Sequence, residues 1–190
     1  MAESMKKLII ILGPTAVGKT DYSIETALRY DSPVISCDSR QIYKEMTIGT
    51  AVPSAAQLSA VQHYFIHSHT VTELYTAGKY EIEALELINR LFAEGHDTLV
   101  MAGGSGFYVD ALVNGLDDFP EADIQLRKEL TARLETEGVE SLRVDLKRLD
   151  PESNISCFMP VLSCAGIFYV SREPAGFQFS GGRTVPSLFQ

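Results

Sequence analysis

The chain has 190 residues and a net charge of −9, enough for one substantial α/β domain with an appendage. That acidity argues against broad, non-specific nucleic-acid binding but leaves room for a local basic site. A hydrophobic content of 45% with 22% charged residues is that of an ordinary globular protein, and no apolar stretch is long enough to span a bilayer. Cys37, Cys157 and Cys164 form no paired framework and no C-x-x-C, so the expected compartment is the reducing cytoplasm.

The apolar run Leu8–Leu12 predicts a buried strand. Lys6-Lys7 before it resembles the start of a signal peptide, but the run is too short for one. It leads directly into Gly13-Pro14-Thr15-Ala16-Val17-Gly18-Lys19-Thr20, which reads G-x-x-x-x-G-K-T, and then into a helical pattern. Strand, glycine-rich turn and helix are the context that a phosphate-binding loop requires. The glycines let backbone N–H groups turn inward onto phosphate oxygens, and the helix adds its positive end. Lys19 can neutralise a terminal phosphate, and the Thr20 hydroxyl can ligate Mg²⁺.

The first helix is predicted from Thr20 to about Arg29, with Tyr22, Ile24, Ala27 and Leu28 on its apolar face. Asp31-Ser32-Pro33 breaks it, and Val34–Cys37 is a second strand ending at Asp38. Ser54–Gln62 reads as a short helix. Lys79–Glu94 is a stronger one, with Ile82, Leu85, Ile88 and Phe92 as its stripe and Gly95 as its cap. Thr98–Ala102 is a third buried strand, followed by the tight turn Gly103–Tyr108 and a helix ending near Asn114-Gly115. Asp123–Glu137 repeats Leu126, Leu130 and Leu134, stops at Gly138, and is followed by a similar pattern over Val139–Leu149. The alternation predicts an α/β fold: a P-loop NTPase-like parallel sheet flanked by helices, with a partial helical insertion.

After Asp150-Pro151-Glu152 the character changes. Ser153–Gln190 holds few charges and shows no sustained helical or strand period. The expected division is therefore a P-loop α/β domain with a helical part over 1–152 and an atypical tail over 153–190. That tail is expected to be disordered, or to be unrelated sequence of the kind a frameshift gives.

Ligands of open α/β sheets bind beyond the carboxyl ends of the strands. Three such ends are readable here: the phosphate loop, Asp38-Ser39-Arg40-Gln41, and Gly103–Gly106. Asp38 is the leading catalytic candidate, since a carboxylate beside a Mg²⁺-phosphate can hold metal through water or accept a proton. The alternative is an aspartate that only shapes its turn. Arg40 and Lys44 suit phosphate contacts or are solvated loop charges. His63, His67 and His69 lie close in sequence, but Tyr64-Phe65-Ile66 alternates like a strand and no carboxylate stands at ligand spacing, so no zinc site is expected.

Taken with the loop Gly13–Thr20, the segments Ser36-Cys37-Asp38-Ser39-Arg40-Gln41-Ile42-Tyr43-Lys44, Met46–Ala51 and Gly103-Gly104-Ser105-Gly106-Phe107-Tyr108 resemble the tRNA dimethylallyltransferases (tRNA isopentenyltransferases). The resemblance covers residues 6–152 and then stops; the family's later N-x-x-R-x-x-R-A-L-E-like helical stretch has no counterpart here. It implies transfer of the dimethylallyl group of dimethylallyl diphosphate to N6 of the adenine just 3′ of the anticodon. The phosphate loop would hold the diphosphate with Mg²⁺. Lys19 and Thr20 would stabilise the departing pyrophosphate, and Asp38 would deprotonate the attacking amine. By the same resemblance Asp38, Ser39, Arg40, Gln41, Ser105 (a threonine in the family) and Arg127 would meet the tRNA anticodon stem-loop. A cytoplasmic monomer is expected. Two other readings stand beside it: a small-molecule kinase or NTPase that binds ATP or GTP in the loop, and an inactive fragment that binds pyrophosphate only.

Overall fold

A computed structural model describes residues 6–116, 123–149, 166–173 and 176–184. Its elements are β1 (Lys7–Leu12), α1 (Lys19–Tyr30), β2 (Val34–Ser36), α2 (Ala55–Ala60), β3 (His63–Tyr64), α3 (Ala77–Ala93), β4 (Thr98–Gly103), α4 (Gly106–Asn114), α5 (Ile124–Glu137), α6 (Val139–Leu149), β5 (Gly166–Glu173) and β6 (Gly176–Thr184). Contacts divide the chain into two units, one of Met1–Leu116 with Leu162–Gln190 and one of Asp117–Val161. The boundary expected between 152 and 153 lies outside the described residues.

The first unit is built on a sheet of order β3-β2-β4-β1-β5-β6. β3, β2, β4 and β1 are parallel neighbours, with Ile10 opposite Met101 and Ile35 also opposite Met101. Helices cover both faces, so these strands read as unbroken apolar runs. On one face Leu8, Ile10, Ile35, Leu99 and Met101 pack with Tyr80, Ala84 and Ile88 of α3 and Tyr108 and Leu112 of α4. On the other, Ile9, Ile11, Val34 and Val100 pack with Ile24 and Ala27 of α1.

Three details differ from the sequence expectation. The stripe of α3 is rotated: Tyr80, Ala84, Leu87, Ile88, Leu91 and Phe92 are buried, and Ile82 is 61% exposed. The reason is Tyr80, whose ring stacks on Tyr108 at 4.4 Å between centroids and whose hydroxyl donates to Ser36 O at 3.0 Å. That buried hydrogen bond ties α3 to the end of β2, so Tyr80→Phe should cost about 1 kcal/mol in a urea melt while keeping the stack. Next, α4 starts at Gly106, so Phe107 and Tyr108 are helical and not part of the turn. Finally, 166–173 and 176–184 form strands although 153–190 shows no sustained strand period. There β5 runs antiparallel to β1 and β6 antiparallel to β5, with a register shift between Tyr169 and Val170. β5 occupies what would otherwise be the open hydrogen-bonding edge of β1.

The second unit contains α5 and α6. The Asp123 carboxylate caps α5 by accepting from the N–H groups of Gln125 and Leu126, and Gly138 ends it at φ 79°. Arg133 of α5 reaches Asp145 of α6 at 3.0 Å. Leu126, Leu130 and Leu134 are each more than a third exposed. Among the described residues, no helix is long and apolar enough to cross a membrane.

Candidate active site

The chain leaves β1 at Leu12 and enters α1 at Lys19 through a loop whose backbone passes twice into the left-handed region, at Ala16 (φ 70°) and Gly18 (φ 84°). Gly18 is the N-cap of α1 and provides no side-chain acceptor, so no side chain caps the first N–H groups of the helix. Such groups, with the positive helix end behind them, form an anion cradle. The Lys19 ammonium folds back and donates to Pro14 O, so the loop holds its own cation in place. Burial pushes the Lys19 pKa down, while the Asp38 carboxylate pulls it back up.

Thr15, Ala16, Gly18, Lys19 and Thr20 line one side of a cleft. Asp38, Gln41, Thr50, Ala51 and Gly103 line the other, so the three strand ends converge as expected. Asp38 closes its own turn: Oδ1 accepts from Arg40 N–H at 2.9 Å and from Gln41 N–H at 3.3 Å. Oδ2 lies on the side of Gly104, where an added Cβ would stand 3.6 Å from it. One oxygen therefore shapes the turn, and the other remains available to a ligand.

The turn after β4 grips the end of β2. Cys37 N–H donates to Ala102 O at 2.9 Å, and Ser105 N–H donates to Cys37 O at 3.1 Å. Gly103 is required here because a Cβ would fall 2.5 Å from both the carbonyl carbon and the oxygen of Cys37. The Cys37 thiol is fully enclosed, and burial, reinforced by Asp38, pushes its pKa up to about 12. It stays protonated at neutral pH, so it is packing and not a nucleophile.

Ser39 and Gln41 are engaged within the chain. Ser39 N–H donates to Ser105 Oγ at 2.9 Å. Gln41 accepts from Ser36 Oγ at 3.1 Å and donates to Thr50 O and Ala51 O, pinning the 46–51 loop to the cleft wall. Arg40 and Lys44 are exposed. Arg127 belongs to the second unit, in the first turn of α5. The three histidines serve different contacts. His63 Nδ1 bonds to Val61 O, His67 N–H donates to Gln41 O, and the His69 ring lies 4.3 Å from that of Tyr75. Ser23, Ser36, His63 and Ile66 also line the cleft and were missed from sequence. Ser23 stands three residues after Thr20 on the same helix face, a spacing that could have revealed it.

A parallel sheet with this loop between its first strand and first helix defines the class: a P-loop NTPase-like α/β protein. Within that class the chain belongs to the IPP transferase family, whose family model matches residues 41–157. It is 51% identical over 148 residues to the tRNA dimethylallyltransferase of Flavobacterium johnsoniae, covering 78% of this chain and 48% of that one. It is 43% identical to tRNA dimethylallyltransferase 1 of Bacteroides thetaiotaomicron, with the same 78% and 48% coverage. The solved full-length tRNA isopentenylpyrophosphate transferase from Bacillus halodurans is similar at TM-score 0.57 and 35% identity, over 80% of this chain and 50% of that one. A eukaryotic dimethylallyltransferase acting on tRNA is similar at TM-score 0.62 and 26% identity, over 83% and 39%. The chain spans about half the length of the curated relatives it matches.

Proposed function

We propose that this chain transfers the dimethylallyl group of dimethylallyl diphosphate to the exocyclic N6 of the adenine 3′ of the anticodon in tRNA, acting as a cytoplasmic monomer. The observation that carries the reading is one cleft with an anion cradle and Lys19 on one wall and an uncommitted Asp38 oxygen on the other. The diphosphate binds the loop amides of residues 15–20, and Lys19 exchanges Pro14 O for a phosphate oxygen. The adenine amine attacks C1 of the dimethylallyl group, the C1–O bond breaks, and its electron pair leaves with pyrophosphate. The loop amides and Lys19 stabilise that leaving charge, and Asp38 takes the N6 proton.

The residues present suit Mg²⁺. Thr20 lines the cleft, and its hydroxyl makes no hydrogen bond among the described residues. Among those residues there is no group of three His, Cys, Asp or Glu that could hold a metal, so Thr20 would hold the ion together with oxygens of the diphosphate. When bound, it supplies Lewis-acid stabilisation of the leaving pyrophosphate. On the nucleic-acid side, Arg40 is the exposed cation beside Asp38, and Arg127 is a second candidate. The target adenine must leave its stack to reach the cleft.

Thermal melting with Mg²⁺ present tests the donor. Dimethylallyl diphosphate at about a hundred times its Kd should raise Tm by about 5–10 °C, and ATP by much less. Labelled donor should then label an unmodified anticodon stem-loop. Protection by ATP with its hydrolysis, and no prenyl transfer, would overturn the reading.

A further inference from the structure

We infer that Ser105 is a positioning residue: its hydroxyl holds the Asp38 turn in place by accepting from the Ser39 N–H. The inference rests on the reading of Asp38 as the proton acceptor.

Ser105 is the N-cap residue of α4, yet its side chain makes no capping hydrogen bond to its own helix. A serine at that position normally accepts from the N–H two or three residues on. Here Oγ is diverted to Ser39, a residue 66 positions away in sequence, and accepts its N–H at 2.9 Å. The diversion completes a set. The N–H groups of Arg40 and Gln41 go to Asp38 Oδ1, which leaves Ser39 N–H as the one amide of the turn that the carboxylate does not take. Ser105 takes it. With that bond made, three successive amides of the turn are committed, and Asp38 is held from both sides.

The hydroxyl is itself anchored. Ser105 N–H donates to Cys37 O at 3.1 Å, and its carbonyl accepts from Tyr108 N–H at 3.1 Å and Val109 N–H at 3.3 Å. Gly103 seats the same turn against Cys37, with no room for a side chain between them. The Asp38 turn is thus clamped before and after the aspartate, by Cys37 O and by Ser39 N–H.

The test compares Ser105→Ala with Ser105→Thr, which keeps the hydroxyl. Ser105→Ala should lower kcat about 10–100-fold, the scale of a misplaced reacting group, with KM for the anticodon stem-loop changed less than about twofold. Ser105→Thr should restore kcat to within about threefold of the wild type. Independently of activity, exchange of the Ser39 amide in the unliganded protein should quicken about five- to tenfold in Ser105→Ala and return in Ser105→Thr. Unchanged Ser39 exchange, or a tenfold rise in KM for the stem-loop at constant kcat, would overturn the inference. Should the wild-type chain transfer no prenyl group, the proposed function fails, and Ser39 exchange still decides whether the clamp exists.

Discussion

Asp38→Asn should lower prenyl transfer about a thousandfold while leaving donor affinity within about twofold. Asparagine retains an oxygen at the Oδ1 position, so it can still accept from Arg40 N–H and Gln41 N–H and keep the turn. What it loses is the second oxygen, the one beside Gly104, which becomes an amide nitrogen with no lone pair for the N6 proton. Asp38→Ala removes both functions at once, so only the asparagine variant separates shaping the turn from accepting the proton. Single-turnover transfer of labelled donor measures the first effect and thermal melting with donor the second. A loss below tenfold in Asp38→Asn would remove Asp38 from the chemistry.

Gly103→Ala should destabilise the protein by about 3 kcal/mol and abolish transfer with it. The added methyl would meet the carbonyl carbon and oxygen of Cys37 at 2.5 Å and its sulfur at 2.7 Å. Two of these three atoms are backbone and belong to Cys37, the residue after β2, so no rotamer change relieves the clash. Either the β4 turn or the residue before Asp38 must move. Urea unfolding should show a lower midpoint with an unchanged slope. Gly104→Ala is the control, because its nearest neighbours stand at 3.6 and 3.8 Å, ordinary contact distances. It should leave stability nearly untouched while crowding the free oxygen of Asp38. A Gly103→Ala midpoint equal to that of the wild type would contradict the packing described for the turn.

Much of the first unit could be read from sequence because several local signals agree there. β1, the phosphate loop and α1 follow one another with no intervening residue, and each restricts the next. Asp38 stood out by its place at a strand end, and of its two readings the structure shows the turn-shaping one, through Arg40 N–H and Gln41 N–H. α3 was legible as a helix but not in its rotation. Tyr80 and Ala84 look neutral in an apolar count, and only the stack on Tyr108 and the bond to Ser36 O make that side the buried one. β3 spans two residues, too few to show a period. β5 was missed because Ile167–Val170 is uniformly apolar, and β6 because its alternation over Phe177-Gln178-Phe179-Ser180 is short and is broken by Gly181-Gly182. The link from Ser39 to Ser105 spans 66 residues and could not be read from either segment alone.

The account rests on a diphosphate seated in the loop opposite Asp38. A crystal structure of the chain with Mg²⁺ and an unreactive thiodiphosphate analogue of the donor tests it most directly. It should place phosphate oxygens on the amides of residues 15–20, Lys19 Nζ moved from Pro14 O onto phosphate, and the prenyl carbon C1 facing Asp38 Oδ2. A diphosphate bound elsewhere, or Asp38 Oδ2 turned away from C1, would contradict it.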